Sequence, residues 1–165
     1  MRARTTARAA AIEAVDAGGG GHAARLVAVA AALVGVALSA YLTAEHYSHG
    51  TTFACPESSA INCLKVTTSR WSVIAGIPVA VLGLAYFVVM TGLLLSRTGN
   101  RWIALLRIAA AGVGVAMALY LVSIELFEVN AVCLWCTGVH LVTLVLFGAV
   151  LWSDSSRAIS GRPAR

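Results

Sequence analysis

Four cysteines carry the chemistry open to this sequence. Cys55 and Cys63 stand with seven residues between them, and Cys133-Leu134-Trp135-Cys136 sets two more thiols at i and i+3. A Cys-x-x-Cys ring closes too short a loop to remove much unfolded-chain entropy, so it makes a poor staple. At a helix N-terminus the same pair is useful, because the partial positive charge there favours a thiolate. Two such dithiols within reach form a relay by thiol–disulfide exchange, each transfer passing through a mixed disulfide. The pairing is open at this point: four cysteines allow three connectivities, and a Cys63–Cys133 crosslink and two local pairs are both compatible with the spacing. The alternative is a non-enzymatic membrane scaffold with two static disulfides. His46-x2-His49-x5-Cys55-x7-Cys63 offers a ligand set that zinc accepts, but it strands Cys133 and Cys136. No metal is therefore expected, and both histidines read as solvated loop residues.

The elements that must position these thiols are apolar. Of 165 residues, 59% are hydrophobic and 12% charged, about half the charge of an average soluble domain. One soluble core of this size cannot hide so much apolar surface, and intrinsic disorder is excluded for the same reason. Four stretches approach the ~20 residues that a bilayer core requires: 26–43, 76–95, 102–124 and 132–152. Short connections at 96–101 and 125–131 force antiparallel neighbours. The expected fold is thus an all-α integral membrane four-helix bundle with a long outer loop between the first two spans. Residues 1–25, with the Gly18–Gly21 run, read as a flexible cytoplasmic segment, 26–152 as the membrane domain and 153–165 as a cytoplasmic tail.

The net charge of +5 lies in short arginine clusters flanking apolar runs, so it is a topology signal and no nucleic-acid partner is expected. Arg2, Arg4, Arg8, Arg25, Arg97, Arg101, Arg107, Arg157, Arg162 and Arg165 fall on one side, and only Lys65 and Arg70 on the other. Both termini are then cytoplasmic and all four cysteines lie at the outer, oxidising side. Arg107 is expected to snorkel to the inner surface, and Trp71, Trp102 and Trp152 to anchor span ends. Cys136 sits one turn deeper in the fourth span than Cys133, so the final electron acceptor must be lipid-soluble. A quinone meets that requirement.

Together the four spans, Cys55-x7-Cys63 in the first outer loop, a serine-bearing stretch leading to Gly76-Ile77-Pro78, and Cys133-Leu134-Trp135-Cys136 opening the fourth span resemble the vitamin K epoxide reductase family, in its bacterial disulfide-forming branch. The resemblance covers about residues 26–152. The order of the pairs matters: in the DsbB type of thiol oxidase the Cys-x-x-Cys comes first, and here it comes second. The resemblance implies a quinone-dependent thiol oxidoreductase of a bacterial cytoplasmic membrane, reoxidising a DsbA-like thioredoxin-fold partner on the outer side. It implies a menaquinone- or ubiquinone-type acceptor beside Cys136, with Cys133 as the partner that takes electrons from Cys63, and Cys55 as the residue exchanging with the external protein. The family's catalytic-centre serine best matches Ser69, with Ser72 competing; a helix cap is the plain alternative for either. Animal members place a tyrosine four residues after the motif's second cysteine, and here that position is His140. Cys133, Cys136 and His140 follow an i, i+3, i+7 stripe, which suits His140 to bonding a carbonyl oxygen or supplying a proton. Pro78 is placed three residues into the second span, and Ala110 and Gly114 read as small residues that let the third span pack closely on a neighbour.

Overall fold

The computed structural model describes the backbone of residues 2–48, 55, 58, 60–96 and 100–160, and side chains from residue 20 to 154 within those segments. Five helices form in chain order: α1 (Arg2–Tyr47), α2 (Cys63–Thr67), α3 (Val79–Leu95), α4 (Arg101–Ile124) and α5 (Leu134–Ser160). A 3-10 turn (Arg70–Ser72) and a small antiparallel hairpin, β1 (Val73–Ile74) and β2 (Ile77–Pro78), lie between α2 and α3. The molecule is mostly helical, as its composition requires, and the hairpin is an addition to the all-α expectation. Ala75 and Gly76 both take positive φ, 51° and 82°, the left-handed pair that a two-residue hairpin turn demands.

Among the described residues, three helical stretches are long and apolar enough to cross a membrane: Gly20–Tyr47, Arg101–Val129 and Leu134–Asp154. The fourth, α3, has 17 residues. It begins at Val79 rather than Gly76, because Ile77 and Pro78 are drawn into the hairpin, where Pro78 pairs with Val73. Pro78 therefore precedes the helix it was expected to enter. α1 is helical from Arg2 and runs through Gly18–Gly21 without a break, so residue 25 marks no change of secondary structure.

The core is built from small residues on α1 meeting large ones on its neighbours. Ala28, Ala31 and Ala32 are buried against Phe87, Met90 and Leu94 of α3 and against Leu146 and Val150 of α5. Gly35 lies directly beneath the Phe87 ring, where any side chain would collide with it. Outside this seam the helices present Leu33, Val34, Val88, Val89, Leu119 and Leu141 to the exterior. Large apolar side chains inside and out are what a helix bundle solvated by lipid requires.

One end of the bundle holds a network of arginines with carbonyl and carboxylate partners. Arg25 donates to the carbonyls of Leu94 and Leu95, the nearest at 2.9 Å. Arg107 is 3% exposed; it donates to the carbonyls of Leu93 at 2.8 Å and Ser96 at 2.6 Å, and lies 4.0 Å from Asp154. Two guanidinium groups thus occupy carbonyls that α3 leaves unpaired at its C-terminus. This corrects the snorkelling expectation for Arg107. A buried acceptor set and a carboxylate hold its head inside the protein, so it need not reach water.

Candidate functional site

The other end holds the cysteines. Cys55 and Cys63 form a disulfide, with Cα atoms 6.3 Å apart; Cys133 and Cys136 are free thiols. In this state one pair is closed and the other is open. The loop disulfide also removes both sulfurs from the zinc set considered above, in which His49 lies outside the described residues.

A short parallel bridge brings the two pairs together. Ile61 pairs with Val132, the Asn62 N–H donates to the Val132 carbonyl at 3.1 Å, and the Val132 N–H donates to the Ala60 carbonyl at 2.9 Å. Asn62 and Cys133 are the next residues on the two sides of that bridge, and Cys63 follows Asn62. Both Cys63 and Cys133 are fully buried. Asn62 serves twice, since its side chain also accepts from the Lys65 N–H at 2.8 Å and caps α2, fixing where Cys63 begins the helix.

Cys133 sits immediately ahead of α5, and its sulfur accepts from the Cys136 N–H at 3.2 Å. A hydrogen bond from the Cys136 thiol, joined by that N–H and the one of Trp135, holds the Cys133 thiol below the ordinary thiol range, against burial and the nearby Glu125 carboxyl. The N–H groups of the helix start add to this effect, and they act on Cys133. Trp135 packs on Tyr41 of α1, ring centroids 4.8 Å apart, and so ties the first turn of α5 to its neighbour.

Beneath the thiols lies a cavity of about 360 Å³ bounded by α1, α3, α4 and α5 and roofed by Val66, Ser69, Trp71 and Ser72. Its walls are mainly apolar, with Leu42, Phe87, Val113, Met117, Leu121 and Val139 among them. Cys136 and His140 open on it, as do Ser69 and Ser72; Cys133 does not. The cavity face of α5 is thus Cys136, Val139, His140 and Thr143. The predicted stripe loses its first member because Cys133 precedes the helix, where its N–H donates to Glu125. Neither serine caps α3, whose N-cap is Pro78. The Ser72 hydroxyl donates to the Ser69 carbonyl at 2.8 Å, while the Ser69 hydroxyl makes no cap bond.

Two buried polar atoms of residues on this cavity lack a hydrogen-bond partner among the described residues: Tyr86 Oη and His140 Nδ1. Gly114 admits the tyrosine, since a side chain there would strike the Tyr86 hydroxyl. The small residue on α4 thus makes room for a side chain rather than for close backbone approach. Leaving such atoms unpaired costs roughly 1–3 kcal/mol each, which a ligand with hydrogen-bonding groups would recover.

Three polar residues on the cavity escaped the sequence reading. Tyr86 sits mid-span among apolar residues and carried no spacing signal. His46 belongs to α1 and lines the cavity rather than a solvated loop. Glu125 opens the connection expected at 125–131, but α4 continues into a π-helical turn, Glu125–Val129. That turn directs Glu125 inward, 5% exposed, and leaves Leu126 and Phe127 exposed. Asn130 then ends it in left-handed geometry, φ 51°, and Trp71 packs on Ile124, Val129 and Ala131 instead of anchoring a span end.

No curated protein matches the chain. The family model for vitamin K epoxide reductases matches residues 26–151. That span contains both cysteine pairs, the bridge that joins them and every residue named on the cavity, and the chain belongs to the vitamin K epoxide reductase family.

Proposed function

We propose that this chain, a membrane thiol–disulfide oxidoreductase by its family, takes electrons from a reduced DsbA-like thioredoxin-fold protein and passes them through Cys55/Cys63 and then Cys133/Cys136 to a quinone of the membrane. The partner's thiolate attacks the loop disulfide at Cys55. Cys63, released as a thiolate, attacks a Cys133–Cys136 disulfide at Cys133 and frees Cys136; the partner's second thiol closes the partner's own disulfide and frees Cys55, which attacks Cys63, restores the loop disulfide and leaves the membrane pair reduced. A closed loop disulfide over a free Cys133/Cys136 dithiol is the state from which electrons leave the protein.

The observation that carries this reading is the division of labour within the Cys-x-x-Cys pair. Cys133 is buried one residue beyond the bridge that ties the Cys63 segment to Val132, and Cys136 opens on the cavity. The cavity suits a quinone: it has the volume for a flat ring and part of an isoprenoid tail, apolar walls, and Tyr86 Oη and His140 Nδ1 as two hydrogen-bonding atoms for ring carbonyls. A bound quinone supplies a two-electron, two-proton acceptor. Cys136 presents its sulfur to the ring, Tyr86 and His140 orient the ring oxygens, and Ser69 offers a further hydroxyl from the roof.

In the membrane, α1, α3, α4 and α5 are the four spans of this reading, with both termini cytoplasmic and the cysteines outside. At 1.5 Å per residue the 17 residues of α3 reach about 26 Å, slightly less than a bilayer core of about 30 Å. Arg25 and Arg107 at its C-terminus and the hairpin at its N-terminus satisfy the backbone where the helix falls short.

The test is quinone reduction by the purified protein in detergent, driven by a small dithiol. The native chain should turn over and Cys136→Ala should not, while Cys63→Ser keeps small-dithiol activity and loses turnover with a thioredoxin-fold donor. A folded native chain that reduces none of several quinones removes this reading.

A further inference from the structure

A buried carboxyl group is costly unless it is paired or has work to do. Glu125 is 5% exposed, forms no ion pair among the described residues, and has one long hydrogen bond, accepted by Oε2 from the Cys133 N–H at 3.4 Å. It shares the cavity wall with Cys136. Its placement is not a by-product of a regular helix. A π-helical turn, frequent at functional sites, sets its position, and the N–H groups of Asn130 and Ala131 both donate to its carbonyl. The next acid, Glu128, faces outward toward Arg70 at 3.9 Å.

The chemistry of the thiols creates a need at this spot. The Cys133 sulfur accepts the Cys136 N–H at 3.2 Å, which keeps the reduced pair together at the start of α5. Before Cys133 can close the disulfide on Cys136, the protons of the two thiols must leave the pair.

We propose that Glu125 is the proton acceptor of the Cys133/Cys136 dithiol, carrying one of its two protons across the cavity to the electron acceptor. The proposal rests on the quinone-reducing reading above. Oxidation of the dithiol forms one S–S bond and releases two electrons and two protons, and conversion of a quinone to a quinol takes up all four. Glu125 receives one proton as the S–S bond closes and delivers it to a ring oxygen; the other passes directly from Cys136, which opens on the same space. The other titratable groups on the cavity are His46 of α1, Tyr86 of α3 and His140 of α5.

Glu125→Gln keeps the shape and the acceptor for the Cys133 N–H but cannot take a proton. Three measurements on the full chain decide the matter. Dithiol-driven quinone reduction should fall by about 100-fold, the scale of general acid–base catalysis, with the acidic limb of the native pH profile gone. Thiol exchange between the loop pair and the membrane pair, read by alkylation trapping, should be unchanged. With no quinone present, the thiolate absorbance of the reduced membrane pair should appear at lower pH, because a neighbouring negative charge has been removed. Turnover within about twofold of native with the native pH profile overturns the proposal, as does equal loss of exchange and quinone reduction, which marks a structural role. Where the Gln chain does not fold, Glu125→Asp decides by the same measurements: a shifted pH profile and thiolate titration support the proposal, and unchanged ones overturn it. A native chain that exchanges thiols but reduces no quinone fails the broader reading instead, and the quinone-free titration still judges Glu125.

Discussion

Asp154 and Glu125 are both buried carboxyl residues, and the bundle treats them in opposite ways. Asp154, at the arginine end, lies 4.0 Å from Arg107, whose remaining donors are committed to the carbonyls of Leu93 and Ser96. Glu125, at the cysteine end, faces a cavity with one long hydrogen bond. The surrounding groups follow the same division. At the arginine end the carbonyls at the C-terminus of α3 receive donors from Arg25 and Arg107, whereas on the cavity Tyr86 Oη and His140 Nδ1 have none among the described residues. Satisfied groups stabilise, because a buried unmade bond is expensive. Groups kept unsatisfied lower stability but leave hydrogen bonds to be made with a ligand or a transferring proton. The first end behaves as a clamp and the second as a site.

The largest effect that would test this contrast is at the clamp. Arg107→Leu should destabilise the chain by about 3–5 kcal/mol, the scale for leaving a buried charge without its partner, read as the unfolding midpoint in detergent. Adding Asp154→Leu should recover most of that loss, since replacing both members with apolar groups is often close to neutral. A single variant as stable as the native chain would dissolve the distinction between the ends. A smaller effect is expected at the site, and it divides differently. Tyr86→Phe removes a hydroxyl without a partner, so stability should hold or rise, while KM for quinone should increase about fivefold, equivalent to about 1 kcal/mol. Lost stability with an unchanged KM would make the hydroxyl structural. The smallest effect concerns Cys133, held below the ordinary thiol range chiefly by the Cys136 thiol. A group lowered on folding contributes stability in full above its unfolded value and loses it as pH falls through the lowered value. In Cys136→Ala the thiolate absorbance of Cys133 should therefore appear at higher pH than the first thiolate of the native pair, and the stabilised pH window should narrow from below.

Much of this was legible in the residues. The two dithiols, their order along the chain and the apolar runs carrying them are local features, and so was the exposure of Cys136 and His140 on one face of α5. Ser69 and Ser72 do reach the cavity. Other residues were misjudged for a common reason, that charge and polarity were assigned to the nearest surface. Glu125 looked like a turn residue because the periodicity of α4 ends at Ile124, and nothing in Glu125-Leu126-Phe127-Glu128-Val129 announces a π-helical turn. Arg107 reads as a topology signal about a turn and a half inside a span, and Tyr86 carries no signal in the sequence at all.

Hydropathy and cysteine spacing by themselves determined that this chain is helical, apolar enough for a membrane and equipped with two thiol pairs, because those properties depend on residues close in sequence. Tertiary structure decided which cysteine faces the loop and which the cavity, what Arg107 holds, and that Glu125 turns inward beside Cys133. Each of these depends on a partner far along the chain, such as the Ile61–Val132 bridge, the α3 carbonyls or the space left by Gly114, and only packing brings such groups within hydrogen-bonding distance.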